Sequence, residues 1–180
     1  MLFKNPSGGM PRVSDTAYVS QSAVIIGDVE IKDNVYIAPH TTIRADEPGS
    51  AVVIGSGCNI QDNVVIHALM GSAVIAGKNT SLAHGCIVHG PCILGNNCFI
   101  GFGSVVFNCT LGDDCVVLHR TLVKDVKIPP RRLIGDGVVV NKQEIADRLS
   151  EVTEDDSDFA SRVVHINFML AKSYSQLRSQ

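Results

Sequence analysis

The sequence predicts an all-β solenoid of triangular coils, followed by C-terminal α-helices that pack on it. Two periodic patterns and one change of period point to this fold class. An aliphatic residue recurs every six positions from Val13 onward, and the residue four places after each one is small or β-branched. After about residue 140 the six-residue period ends, and apolar residues take the three- and four-residue spacing of a helix.

The six-residue period persists through two insertions and one deletion. The aliphatic positions, denoted i, are Val13, Val19, Ile25, Ile31, Ile37, Ile43, Ile54, Ile60, Ile66, Ala76, Leu82, Val88, Leu94, Ile100, Val106, Leu111, Val117 and Val123. A helix of 3.6 residues per turn does not produce a period of six, whereas three six-residue sides close a triangular coil of about 18 residues. Residues 13–140 therefore resemble the hexapeptide-repeat left-handed parallel β-helix, with residue i in its interior.

Five of the six cysteines occupy the small i+4 position, and these are Cys58, Cys86, Cys92, Cys98 and Cys115. Their six-residue spacing could also suggest a metal cluster or disulfides. We expect them to be core residues, because a buried thiol packs as a small hydrophobic group. Cys109, at i+3, is the only cysteine for which exposure is expected, and the next residue, Thr110, takes the i+4 position.

The segment 141–180 is predicted to be helical and is set apart from a β-helix domain at 1–140. Asn141 is the predicted N-cap of a short helix in "KQEIADRLS", and "EVTEDDSD" is predicted to be an acidic linker. Ser157 or Asp158 then begins a helix that runs to about Leu177. Its apolar stripe is predicted to pack on a β-helix face of the same chain or of a neighbour, and comprises Val163, Ile166, Leu170, Tyr174 and Leu177.

Composition argues against several classes of partner. The net charge of -3 makes neither nucleic acid nor an anionic membrane an expected partner. No apolar run approaches the roughly 18 residues of a membrane span. The N-terminal stretch lacks the apolar region of a signal peptide, so we expect a cytoplasmic protein with reduced cysteines.

The repeat places two histidines in one column. If each insertion lengthens one repeat, His67 and His89 both follow an i residue directly and lie one coil apart, about 4.8 Å in backbone terms. Arg44 lies one coil below His67. Two imidazoles at that separation can share one metal ion.

His84 occupies position i+2 on another side of the triangle, together with Asp62 one coil below. It cannot reach a metal held by His67 and His89 of its own chain, but a neighbouring subunit could supply it if the prisms pack in a threefold. Three histidines around zinc leave a fourth position open, as in catalytic sites. Solvated surface histidines are the alternative, and Arg44 with Asp46 or Asp62 could form a purely structural ion pair.

The other three histidines, His40, His119 and His165, match neither column. They are therefore expected to be surface or interface residues.

Three motifs resemble the gamma-class carbonic anhydrases: "IRADE" at 43–47, "NIQDNVVIH" at 59–67 and "LAHGCIVHG" at 82–90. The resemblance implies a homotrimer that interconverts CO2 and bicarbonate at three metal sites. Zinc is the implied metal, with iron or cobalt possible. His67 and His89 would come from one subunit and His84 from the next.

The same resemblance implies roles for other residues. Arg44 and Asp46 match the motif that ties subunits together, with Asp62 as an ionic partner. Gln61 matches a residue that contacts the reacting hydroxide or the substrate. Glu47 matches a carboxylate proposed to assist proton transfer.

Asn167 falls near the polar active-site residue that the family carries on its last helix. One departure is the segment "ALMGSA" after His67, where some active members carry an acidic loop with a proton-shuttling glutamate. A trimeric scaffold or assembly module with a structural or vestigial metal is therefore the main alternative function. A hexapeptide acyltransferase is the second alternative function.

Overall fold

A computed structural model describes residues 1–178, and these form a left-handed parallel β-helix followed by two helices. The first face contains β1 (Leu2–Phe3), β4 (Val24–Gly27), β7 (Thr42–Ala45), β10 (Val65–His67), β13 (Ile87–Leu94), β15 (Val105–Leu111), β17 (Leu122–Lys124) and β20 (Val139–Val140). The second face contains β2 (Arg12–Val13), β5 (Val29–Ile31), β8 (Ala51–Ile54), β11 (Ala73–Ala76), the far ends of β13 and β15, and β18 (Lys127–Ile128). The third face contains β3 (Tyr18–Val19), β6 (Tyr36–Ile37), β9 (Asn59–Ile60), β12 (Ser81–Leu82), β14 (Phe99–Ile100), β16 (Val116–Val117) and β19 (Arg132–Ile134), with the short β21 (Ser150–Glu151) antiparallel at its end.

The core is the stack of aliphatic residues inside the prism. Ile25, Ile43, Ile66 and Val88 are in-register partners in successive coils of the first face, and all are fully buried. Each such side chain contributes roughly 1.5–3 kcal/mol through burial of apolar surface. The predicted i positions from 25 to 123 are all buried, which confirms the six-residue pattern.

Each of the two insertions lengthens a single repeat, as the sequence predicts. The insertions lie at 46–50 and 68–72, and the register resumes after each one, so that Ala76 aligns with Ile54. The two loops stack on one another through a hydrogen bond from the Gly71 amide to the Pro48 carbonyl (3.0 Å). This stacking places both loops beside the edge where β7 and β10 end.

The prediction for Cys109 and Thr110 is wrong. Cys109 is buried and Thr110 is only half-buried. The repeat between Val106 and Leu111 is one residue short, and the register of β15 shifts against β13 ahead of Cys109. Cys109 therefore takes the inward position and aligns with Cys92. The other five cysteines are buried as predicted, and all six are free thiols.

The starts of both C-terminal helices differ from prediction. α1 (Gln143–Ala146) has Lys142 rather than Asn141 at its N-cap. α2 (Glu154–Arg178) begins earlier than predicted, and Thr153 caps it. The Thr153 hydroxyl accepts from the Asp156 amide (3.2 Å), and the Asp156 carboxylate accepts from the Thr153 amide (3.1 Å), which is a reciprocal capping box.

Residues 154–158 of the predicted acidic linker are therefore the start of α2, where carboxylates interact favourably with the helix dipole, and Glu151 belongs to β21. The predicted start residues, Ser157 and Asp158, lie inside the helix. Residues 179 and 180 of the predicted helical segment lie outside the described residues, and the domain division at residue 140 stays a prediction.

α2 packs on the third face of its own solenoid through small residues, chiefly Ala160 and Ala171. Of the predicted stripe, Ile166, Leu170 and Leu177 are 58%, 38% and 64% exposed in the single chain, so they do not pack on its own solenoid, and packing on a neighbour stays a prediction. The outer side of the third face carries aromatic side chains, and two aromatic residues of α2 pack on them, Phe159 on Phe99 (5.3 Å) and Tyr174 on Tyr18 (5.1 Å). Within residues 1–178, no helix is both long enough and apolar enough to span a membrane.

Candidate metal centre

His67 and His89 lie side by side on the outer surface of the first face. Their strands β10 and β13 align these two residues as direct partners. His67 Nδ1 and His89 Nε2 are 3.1 Å apart, and the rings stand at 89° to one another. The sequence prediction that these histidines stack one coil apart is confirmed.

One nitrogen of this pair has no hydrogen-bond partner. The His67 side chain is only 14% exposed, and its Nε2 is buried without a partner among the described residues. A buried polar atom without a partner costs roughly 1–3 kcal/mol. Two adjacent imidazoles with one orphaned buried nitrogen therefore fit a metal ion such as zinc, which takes neutral imidazole nitrogens as ligands.

Two carboxylates flank this nitrogen. Asp46 Oδ1 and Glu47 Oε1 each lie 3.5 Å from His67 Nε2. Arg44 binds the other Asp46 oxygen through Nε (3.1 Å) and a terminal nitrogen (2.9 Å). Burial alone would raise the pKa of Asp46, but the hydrogen bonds and charge of Arg44 outweigh it and lower the pKa below its usual range. Asp46 is therefore a permanently charged neighbour of the histidine pair at neutral pH.

Glu47 is held by the second loop. Its Oε2 accepts a hydrogen bond from the Met70 amide (2.6 Å), while its Oε1 faces His67. Met70 belongs to the "ALMGSA" segment, which supplies no carboxylate of its own. The sequence gives no signal for this contact, because the donor is a backbone group whose position depends on the stacking of the two loops.

His84 lies on a different side of the prism, as predicted. Its Nδ1 is 3.0 Å from Asp62 Oδ2, and its side chain is 56% exposed. A carboxylate on one ring nitrogen fixes the orientation of the imidazole and leaves the other nitrogen, Nε2, open to solvent. Within residues 1–178 of one chain, no three His, Cys, Asp or Glu side chains converge closely enough to hold a metal ion.

A buried amide network lies next to Asp62 on the third face. Gln61 Nε2 donates to Asn59 Oδ1 (3.1 Å), and Asn59 Nδ2 donates to Ser81 Oγ (2.6 Å). All three side chains are buried under α2. Sequence reasoning identified Gln61 but missed Asn59 and Ser81. The sequence signal for Asn59 and Ser81 is that both are polar and lie in one column, between Tyr36 in the coil before them and Phe99 in the coil after them.

Asn167 is buried on the face of α2 that packs against β9 and β12. Its Nδ2 donates to the Val163 carbonyl (2.9 Å), one helical turn earlier. The structure thus forms two groups of predicted site residues, one around His67 and one around His84. Within residues 1–178 of a single chain, the Asn167 side chain bonds to the Val163 carbonyl and not to either group.

Comparisons with known proteins identify the family of the chain. The family described as bacterial transferase hexapeptide (six repeats) matches residues 77–108. The carbonic anhydrase of Methanosarcina thermophila is 38% identical over 193 residues, which cover 96% of this chain and 78% of that protein. The chain belongs to the gamma-class carbonic anhydrase family.

Other members and neighbours of this family carry different names. The carboxysome assembly protein CcmM of Nostoc is 43% identical over 173 residues, and the match covers 91% of this chain but 31% of that protein. A crystal structure of a hexapeptide transferase family protein from Anaplasma phagocytophilum superposes with a TM-score of 0.82 at 30% identity, covering 96% of this chain and 97% of that one. Membership of the family therefore leaves catalysis to be argued from the site.

Aromatic rings continue both histidine columns. Phe107 meets His89 edge-on at 5.4 Å, and Phe102 lies 5.4 Å from His84. His119 stacks on Phe102 at 4.3 Å, so it extends the His84 column. The prediction that His119 matches no column is wrong, because Val117 is an i residue and His119 follows it by two positions, as His84 follows Leu82.

Proposed function

We propose that this protein catalyses the reversible hydration of CO2 to bicarbonate at metal sites shared between subunits of a homotrimer. The observation that carries the proposal is the division of the histidines. His67 and His89 form a pair with an orphaned buried nitrogen, whereas His84 is oriented by Asp62 on a separate side of the prism. In this proposal the third ligand of the pair is the His84 of a neighbouring subunit.

Zinc is the metal that the ligand set favours, with iron or cobalt as alternatives. Three imidazoles are the ligand set of catalytic zinc sites, which keep one position open. When bound, zinc supplies a Lewis acid that makes water a nucleophile near neutral pH. Asp62 orients His84, and a carboxylate in that position also raises the basicity of a ligating imidazole.

Glu47 is proposed to carry the proton away from the reacting water. Its Oε1 lies next to His67 Nε2, and the Met70 amide holds the carboxylate in place through Oε2. The side chain is one-third exposed (33%), so it can exchange its proton with buffer. Asp46 is less suited, because the Arg44 contact lowers its pKa and holds it in the charged form.

Gln61 and Asn167 are proposed to orient the substrate. The amide of Gln61 is fixed by Asn59, which itself is fixed by Ser81, so Gln61 is held in one orientation before substrate arrives. Such preorganisation lowers the entropic cost of placing CO2 against the nucleophile. Arg44 and Asp62 lie in the two columns that would face each other across the subunit interface, and Asp46, in the first inserted loop, binds Arg44.

The direct test combines metal analysis, light scattering and CO2-hydration kinetics on one purified sample. The proposal requires a trimer that binds one metal ion per subunit and hydrates CO2. A metal-loaded monomer of about 19 kDa would contradict the shared site.

A non-catalytic assembly module is the second candidate. The match to CcmM and the lack of a carboxylate in "ALMGSA" favour it. A trimer that binds metal but lacks activity would support this candidate instead.

A further inference from the structure

Cys92 and Cys109 are the closest pair of thiols for which the structure gives a direct contact. They are in-register partners on β13 and β15, with their sulfur atoms 3.9 Å apart. Neighbouring strands lie about 4.8 Å apart, which is inside the Cα separation that disulfides require, about 4.4–6.8 Å. Side-chain rotation can therefore bring the two sulfurs to bonding distance without separating the coils.

The hydrogen bonding of this pair differs from that of the other cysteines. Cys98 and Cys115 also lie one coil apart, but their thiols donate to the carbonyls of Gly112 and Pro129, both at 3.2 Å. Cys58 likewise donates to the Gly77 carbonyl. Cys98 and Cys115 also interact through their thiols, but each of them has a carbonyl acceptor as well, whereas the sulfur contact of Cys92 and Cys109 is with each other.

A surface groove is lined in part by the residues Cys92 and Cys109. Its volume is about 460 Å³, and its lining includes Cys92, Cys109, Ile93, Asn108, Asp125 and Lys127. Both thiols are buried against bulk solvent, so the groove admits small oxidants more readily than bulky reagents. The oxidant that fits this access is a hydroperoxide, of which H2O2 is the simplest.

We propose that Cys92 and Cys109 form a reversible disulfide between adjacent coils when the protein meets a hydroperoxide. The peroxide oxidises the Cys92 thiol to a sulfenic acid and releases one water molecule. The Cys109 thiol then attacks that sulfur, forms the S–S bond and releases a second water molecule. Two thiols and one H2O2 thus give one disulfide and two waters, and a dithiol reductant reverses the change.

The bridge would join two neighbouring coils of the solenoid. Cys92 lies three residues after His89, and Cys109 lies two residues after Phe107, so the bond would link the strands that carry these two side chains. Closing the loop between the two cysteines also constrains the unfolded chain, so the oxidised protein should melt at a higher temperature than the reduced one.

The test uses the full-length protein, reduced, desalted and treated with H2O2. Intact mass spectrometry should show the loss of two hydrogen atoms per chain, restored by dithiothreitol. Trypsin leaves residues 79–120 in one peptide, so chymotrypsin is used because it cleaves after Leu94, Phe99 and Phe107. The linked peptides should contain Cys92 and Cys109, and melting should rise on oxidation.

Matched variants separate this bridge from other oxidation. Cys92→Ala and Cys109→Ala should each abolish the mass loss, whereas Cys98→Ala should leave it intact. Alanine already occupies a buried i+4 position on another side of the prism at Ala23, and circular dichroism confirms that each variant is folded. A Cys98–Cys115 link, addition of oxygen without a bridge, or no reaction at peroxide concentrations that oxidise free cysteine would each overturn the proposal.

Discussion

Single hydrogen bonds decide which atom each histidine presents. Asp62 occupies Nδ1 of His84, so Nε2 is the nitrogen that a neighbouring subunit can use. Arg44 occupies one oxygen of Asp46 and leaves the other, Oδ1, buried without a partner beside His67. These neighbours fix the orientation of the candidate ligands before any metal arrives.

Removing the carboxylate that orients His84 should weaken metal binding. Asp62→Ala is expected to lower zinc affinity about 10- to 100-fold, the usual cost of losing such a partner. Competition with a chromophoric chelator measures the change. Asp62→Asn keeps an acceptor for His84 Nδ1, so its zinc affinity should lie between that of Asp62→Ala and that of the unmutated protein. Unchanged affinity in a trimeric Asp62→Ala protein would contradict the orienting role, and a monomeric variant would assign Asp62 to the interface.

Glu47→Gln tests proton transfer at the site. Glutamine can still accept the Met70 amide hydrogen bond but cannot take up a proton at neutral pH, so kcat should fall about 10²- to 10⁴-fold while zinc content is unchanged. Stopped-flow CO2 hydration measures the rate. Added imidazole buffer should restore part of it, which loss of structure would not allow. An unchanged kcat would assign the proton to another group.

Whole strands were predictable because their period appears directly in the residues. The inward column repeats every six positions, and neither insertion disturbs it, so the coils and the His67–His89 alignment follow from counting. Counting does not predict that Cys109 rather than Thr110 takes the inward position. The pattern shows that one residue is missing from this repeat, but it does not show at which residue the register shifts.

α2 was harder to predict because two local effects outweigh its apolar periodicity. The capping box at Thr153 sets its start, and the side of α2 that contacts the third face combines buried alanines with Phe159 and Tyr174, which a stripe of large apolar residues does not predict. The amide network of Asn59 and Ser81 was missed because it depends on strand alignment as well as on residue type.

The close stacking of coils on the second face makes its glycines sensitive to substitution. A Cβ at Gly77 would lie 2.5 Å from the backbone of Gly95 in the next coil, and neither backbone can move aside. Gly77→Ala is therefore expected to cost about 1–3 kcal/mol, the range for overpacking. Gly135→Ala is the matched control, since its Cβ would meet only Val138 at 3.7 Å. Chemical denaturation of both variants tests this, and equal stabilities would contradict the tight-stacking argument.

The whole molecule presents two outward columns that one chain cannot bring together. One column contains Arg44, His67, His89 and Phe107, and the other contains Asp62, His84, Phe102 and His119. A threefold arrangement would set the first column of each subunit against the second column of the next. Arg44 would then approach the Asp62 of a neighbour, at the level next to the proposed metal.

Mixing two inactive variants tests this arrangement directly. His84→Ala and His89→Ala should each leave two imidazoles per site, too few for tight zinc binding. In a mixed trimer, however, one interface joins a His84→Ala subunit, which retains His67 and His89, to a His89→Ala subunit, which retains His84. Every mixed trimer has one such intact interface whatever the ratio of its subunits, since a closed ring of three subunits of two types contains a single junction in that order.

Co-refolded variants should therefore recover part of the zinc and part of the CO2-hydration activity that each lacks alone. If mass spectrometry shows mixed trimers but neither zinc nor activity returns, the three histidines do not meet across an interface. Recovery of zinc without activity would favour the assembly-module function over catalysis.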